Sequence, residues 1–373
     1  MRHYLLLLLL SLPLLCAAQP AKQEYRWGMA YLRGEQYADA VRSLAKASKR
    51  GNADAAYELG RLYQAGFGVT QSDTAALEYF YRAARLGDAR GQYELGRMYL
   101  HGIATYQDTP GAVKLFKKAA EKGNTDAMRT LAEMYYHGDS IAQDRRRAAE
   151  WYERLAETGD SVAEFMMGGM LEYGDVLTRD VPRAVTYYRR AAEQGHAEAM
   201  FELAFLLQQG QDVEQDLQGA AQWFQRAADK GLGEAAYFLV HLYTDHPSLH
   251  ADSTQIVAAL KRSAELGYDM GENDWGTCLA VGKYVARDEA QAVTWFERAA
   301  AQRNPQAQTN LAMMLENGIG TQKNEARAFE LYARAADVGY RPAQQHLARC
   351  YRQGIGTEVD EQKAYFWLQK AAQ

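Results

Sequence analysis

From Asn52 onward, apolar and small residues recur at helical spacing, and the pattern itself recurs every 36 residues. In the first unit Ala55, Ala56, Leu59, Leu62 and Tyr63 share one face of a helix running from Asn52 to Ala65, and Gly66-Phe67-Gly68 then breaks the chain. A second helix opens at a column holding Asp108, Asp144, Asp180, Asp216, Asp252, Asp288 and Asp360, the place of an N-cap acceptor. That helix carries an aromatic pair (Tyr79-Phe80, Trp151-Tyr152, Tyr187-Tyr188, Trp223-Phe224, Trp295-Phe296; Leu115-Phe116 in the second unit), followed by small residues such as Ala83-Ala84. It ends at Gly51, Gly87, Gly123, Gly159, Gly195, Gly231 and Gly267; Arg303 interrupts this series and Gly339 resumes it, a spacing that suits a left-handed C-terminal stop.

A fixed period of this length means stacked helical hairpins, each burying its apolar face on its neighbours. Small residues at Gly60, Gly96, Gly168 and Gly276 allow close helix approach, while the aromatic pairs fill the space between hairpins. The expectation is an all-α solenoid of about nine 36-residue hairpins over 52–373, preceded by a short capping hairpin over 19–51 that looks like a tetratricopeptide unit. The sixth repeat is irregular: Thr244-Asp245-His246-Pro247 replaces the glycine turn and Ala259-Leu260 the aromatic pair. In the seventh, Trp275 stands in the leucine column, so curvature is expected to change there.

The motif A-x3-LG-x-[LM]Y-x2-G-x-G, followed by D-x3-A-x2-[WY][YF]-x2-AA-x2-G, resembles the Sel1-like repeat family over nearly all of the chain. That resemblance implies a right-handed superhelix of antiparallel helix pairs whose concave face serves as an adaptor or scaffold for proteins. It names no partner.

Ahead of the repeats, Arg2 and His3 precede an apolar stretch from Tyr4 to Leu15 and a small-residue exit at Cys16-Ala17-Ala18. This reads as a secretory signal over 1–18, cleaved after Ala18, because a stretch of about twelve residues falls short of the roughly twenty that cross a bilayer. A periplasmic protein without direct membrane insertion is expected, the alternative being a lipoprotein anchored through Cys16. Net charge is −5, and no basic stripe stands out, so nucleic acid is a poor partner.

Cys278 and Cys350 lie two repeats apart in a column filled elsewhere by Leu62, Met98, Met134, Leu206 and Met314. With helix layers about 10 Å apart they are out of disulfide reach, and free buried thiols are expected. This separates the chain from cysteine-rich Sel1-like proteins, whose paired cysteines staple each repeat. His101 and His137 share a column that the repeat itself explains, and there is no H-E-x-x-H, G-x-S-x-G, P-loop or Rossmann fingerprint. Ser43-x-x-Lys46 matches the serine–lysine spacing of penicillin-recognising hydrolases but lacks the accompanying motifs, leaving weak β-lactam hydrolysis as a remote alternative. No catalytic residue, cofactor or metal site is therefore expected.

The first helix of each hairpin usually lines the groove of such solenoids. If the columns of Ala56, Leu59, Gly60 and Tyr63 are core, those of Asp54, Tyr57, Arg61 and Gln64 face outward. Candidate partner-binding residues are then Tyr57, Arg61, Arg90, Tyr93, Arg97 and Tyr136, followed by the aromatic stretch Phe165, Phe201, Phe205, Tyr237 and His241. Exposed aromatic clusters mark interaction sites, although the same rings can also pack sideways on the next repeat. The expected function is a non-enzymatic periplasmic scaffold binding another protein, with a second reading as an immunity protein against a secreted phospholipase-type toxin. Oligomeric state is left open by the sequence.

Overall fold

The computed structural model describes residues 20–372, so the secretory-signal reading of 1–18, with Cys16, lies outside the described residues. Among those described there is no strand. The chain divides into two units after Asp180. In the first unit the helices are α1 (20–33), α2 (Tyr37–Lys49), α3 (Ala53–Ala65), α4 (Asp73–Arg85), α5 (Ala89–His101), α6 (Thr109–Glu121), α7 (Thr125–His137), α8 (Arg145–Ala156) and α9 (Ser161–Tyr173). The second unit holds α10 (Val181–Glu193), α11 (Ala197–Gln209), α12 (Leu217–Asp229), α13 (Gly233–Asp245), α14 (Ser253–Glu265), α15 (Asp269–Val281) and α16 (Glu289–Ala301). It continues with α17 (Pro305–Asn317), α18 (Glu325–Asp337), α19 (Arg341–Gln353) and α20 (Glu361–Ala372).

Local chemistry sets these boundaries. Carboxylates of Asp108, Asp144, Asp216, Asp252, Asp288 and Asp360 each accept the backbone N–H three residues on, as the aspartate column predicts. The sequence reading missed a matching column at the odd-numbered helices: Asn52, Asp88, Asn124, Asp160, His196 and Asn304 cap them in the same way. At the far end of the even-numbered helices the glycine column adopts positive φ throughout, from 81° at Gly267 to 104° at Gly231, and Arg303 is held at 68° in the same turn.

The regular hairpins close through the aromatic column pair. The second ring of the pair is nearly or wholly buried in repeats one to five and seven (Phe80, Phe116, Tyr152, Tyr188, Phe224, Phe296). A Cβ placed on Gly60 would come 2.5 Å from the Phe80 ring, which is why that helix face carries no side chain. Between hairpins, Phe80 and Ala76 pack on Leu95 and Met98, as Leu44 and Ala47 pack on Leu59. Burial of one such leucine or phenylalanine contributes roughly 1.5–3 kcal/mol, repeated at every junction. Successive odd-numbered helices also touch directly, α3 with α5, α13 with α15 and α17 with α19. Trp275 is buried in the core of the second unit together with Cys278 and Cys350, which are free thiols.

Candidate functional site

Most candidate side chains of the outward columns are half-buried, resting on the second helix of their own hairpin or on an adjacent repeat, while Arg61 is exposed. In the first unit Tyr57 and Tyr93 set their rings against Phe80 and Phe116, with centroids 6.0 and 5.7 Å apart. Arg90 lies over the Tyr57 ring at 4.3 Å while pairing with Asp54 at 2.5 Å and Asp88 at 2.7 Å. Arg61 pairs with Glu58 at 3.3 Å and Arg97 with Glu94 at 3.0 Å. All three candidate arginines therefore already face carboxylates of their own chain. Burial raises the Glu58 and Glu94 carboxyls, against the pull of these arginines. Tyr136 stands edge-on to Tyr152, with Arg145 over its ring at 5.3 Å, and Phe165 is half-buried on α9.

The second unit sets its four candidates in two clusters, one on α11 and one on α13. Phe201 on α11 meets Phe238 at 5.1 Å and Phe224 at 5.5 Å, edge to face, and Phe205 meets Phe238 at 6.1 Å. Phe238 completes this cluster from the position where the first repeat has Glu58, a column the sequence reading did not single out. On α13, Tyr237 packs on His241 at 4.7 Å and on Tyr268 at 5.3 Å, and its hydroxyl donates to Asp274 at 3.1 Å. Burial and the neighbouring Asp274 carboxylate push the Tyr237 phenol well above its ordinary value. His241 itself is exposed.

Farther along, the same layer turns polar. The Asn273 amide donates to Asp274 at 3.0 Å and accepts from Asn310 at 2.9 Å, linking α15 to α17. Arg349 grips Glu316 through two hydrogen bonds of 2.8 and 2.6 Å, and the Tyr332 hydroxyl donates to the same carboxylate at 3.0 Å. Burial raises the Glu316 carboxyl, but these donors outweigh it and hold it below its ordinary value. The unit therefore runs from an apolar, aromatic stretch on α11 and α13 to a network of internally satisfied polar groups on α15 to α19.

Ser43 is buried within α2 while Lys46 is exposed, so the serine is not offered to a substrate. Among the described residues no group of three or more histidine, cysteine, aspartate or glutamate side chains could hold a metal ion, and no helix is long and apolar enough to cross a membrane.

The Sel1 repeat model matches nine segments: 24–51, 53–88, 89–124, 125–160, 161–196, 197–232, 268–304, 305–340 and 341–373. It covers the N-terminal hairpin as well as the regular repeats and passes over 233–267, the irregular sixth repeat. Among solved structures, the chain is similar to c5321, a protective antigen present in uropathogenic Escherichia coli strains with an SLR fold. Identity is 30%, the TM-score 0.80, and the match covers 94% of this chain and 76% of that one. A Sel1 repeat protein from Oxalobacter formigenes is 29% identical with a TM-score of 0.71, over 83% of this chain and 89% of that one. The immunity protein Pa5087 from Pseudomonas aeruginosa is 22% identical with a TM-score of 0.34, over 57% of this chain and 81% of that one, a likeness that carries no functional argument. No curated protein matches in sequence. With its capped hairpins, its glycine stops and this coverage by the repeat model, the chain belongs to the Sel1 repeat family of helical-hairpin proteins.

Proposed function

We propose that the protein is a non-enzymatic, periplasmic scaffold that holds another protein against its odd-numbered helices, with Phe205, Tyr237 and His241 as the anchors. The observation that carries this is the half-exposed aromatic stretch of α11 and α13, where Phe205 and His241 occupy the column that holds the paired Arg61, Arg97 and Arg349 in other repeats. Aromatic rings are enriched at interface centres, where charged residues are depleted. Phe201 plays a different part, since its contacts with Phe224 and Phe238 tie it to the hairpin core.

Phe205→Ala and His241→Ala should weaken the complex recovered by cross-linking from an envelope fraction by about 1 kcal/mol or more each, while leaving thermal unfolding near wild type. Phe201→Ala should lower the unfolding midpoint as well, approaching the Trp223→Ala control. Unchanged affinity in both Phe205→Ala and His241→Ala would remove this face from the function. If the recovered partner is a phospholipase-type toxin, the scaffold is its antidote.

Export rests on Arg2, His3, the apolar stretch and Ala17-Ala18. Mass spectrometry of the protein from cells should find a mature chain beginning at Gln19. A retained N-terminus, or a lipid on Cys16, would replace this reading.

A further inference from the structure

The first unit holds a cleft of about 530 Å³ where α4 and α6 flank α5. Its origin lies in one column. In four repeats the first member of the aromatic pair is a large ring with an arginine stacked on it one turn later: Arg154 over Trp151 at 4.7 Å, Arg190 over Tyr187 at 5.6 Å, Arg226 over Trp223 at 4.7 Å and Arg298 over Trp295 at 4.4 Å; the eighth repeat has Leu331 with Arg334. The second repeat has Leu115 and Lys118 at these two positions. The ring is missing, its arginine is a lysine, and the space stays open.

The seventh repeat shows what the polar groups of this place do when it is filled. There Glu272 is only 1% exposed, and its carboxylate is held by Arg298 at 2.7 Å and Gln302 at 2.8 Å. The same three positions of the second repeat are Gln92, Lys118 and Lys122. Two basic side chains therefore stand where two carboxylate holders stand, and the carboxylate has been replaced by an amide. Gln92 is 6% exposed; its amide nitrogen donates to the Ala84 carbonyl at 3.4 Å and its buried oxygen has no hydrogen-bond partner. Lys122 donates to the Gly87 carbonyl at 2.7 Å, as Gln302 does to that of Gly267 at 3.0 Å, but has no counterpart of Glu272 beside it. Arg85 adds a third cation to the lining, which otherwise holds the single acid Glu121.

We propose that this cleft receives a carboxylate side chain from an acidic segment of a partner polypeptide, seated between Lys118, Lys122 and Arg85 as Glu272 is seated in the seventh repeat. The volume argues for a polypeptide rather than a free ion, since it lies in the range of pockets that enclose whole ligands. Tyr81, 48% exposed on the same lining, offers a flat apolar wall for the segment's main chain. The identity of the occupant as a protein rests on the scaffold reading above. The site does not depend on Phe205 or His241.

The probe is a fluorescently labelled acetyl-tetraglutamate amide, with the tetralysine analogue and succinate as controls, added to the full chain at low salt where ion pairing is least screened. Wild type should bind the glutamate peptide, and Lys118→Gln with Lys122→Gln, both exposed changes, should weaken it about tenfold without moving the unfolding midpoint. Gln92→Glu with Leu115→Trp rebuilds the arrangement of the seventh repeat and should abolish peptide binding with the midpoint kept or raised. The proposal is overturned if the lysine variant binds as wild type does, or if succinate competes at the peptide's own concentration. It is also overturned if Gln92→Glu alone destabilises the protein, as a buried carboxylate without partners must. Failure here with partner capture intact at Phe205 and His241 would sink the cleft alone; loss of partner capture with the peptide still bound would sink the aromatic face alone.

Discussion

At the scale of single residues, the turn that closes each even-numbered helix is imposed by the backbone. Gly339 donates to the Ala336 carbonyl at 3.0 Å and Tyr340 to that of Ala335 at 3.1 Å; Arg303 and Asn304 make the equivalent bonds to Ala300 and Ala299 at 3.0 and 3.2 Å. Nothing lies within 4 Å of a Cβ built on Gly339, so space does not select glycine there. Conformation does. A side chain in the left-handed region costs roughly 1–2 kcal/mol, whereas the greater freedom of glycine in the unfolded chain costs about 0.4–1 kcal/mol. The difference favours glycine, so Arg303→Gly should raise the thermal midpoint by about a degree or two and Gly339→Arg should lower it similarly. Circular dichroism melts of the two variants decide this, and a lower midpoint for Arg303→Gly would mean that the Arg303 side chain makes a compensating contact.

At the scale of elements, legibility followed periodicity. Helix limits, aspartate caps and glycine stops could be read in advance because each is a local requirement that nine repeats state again and again. The caps at Asn52, Asp88 and Asn124 obey the same chemistry, and the repeat column alone would have shown them. Less legible was the outward face. Periodicity distinguishes core from surface, but it does not say how far a surface ring leans: Phe201 and Tyr57 sit in water-facing columns and still rest on Phe224 and Phe80. Nor does a count of basic residues show their partners, and Arg61, Arg90 and Arg97 proved to be paired within the chain. The cleft beside Leu115 was written in the aromatic column from the start, as the one leucine in the first five repeats, yet its meaning needs the paired view of Gln92 against Glu272.

At the scale of the whole molecule, a chain of stacked hairpins is as strong as its weakest junction, since each repeat is stabilised only by its neighbours. The sixth repeat combines several losses. Leu232 gives α13 no side-chain cap, and no glycine ends that helix; the chain leaves through a short 3-10 turn, Pro247–Leu249, with His250 forced to a φ of 52°. Ala259 stands where every other repeat has a ring or a leucine, and a cavity of about 170 Å³ remains beside Ala236 and Leu239. The residues of the turn, Thr244, Asp245, Pro247, Ser248 and His250, are exposed. Proteolysis selects segments that open locally, because a protease must take an extended stretch of chain into its active site. A brief digest with a broad-specificity protease should therefore cut first between Asp245 and Asp252, yielding two fragments identified by mass spectrometry. Restoring Gly at His246 together with an aromatic at Ala259 should slow that cut several-fold, because opening and cleavage share one local equilibrium. A first cut in a regular turn such as Gly102–Asp108, with the sixth repeat intact, would show instead that its irregularities are compensated within the stack.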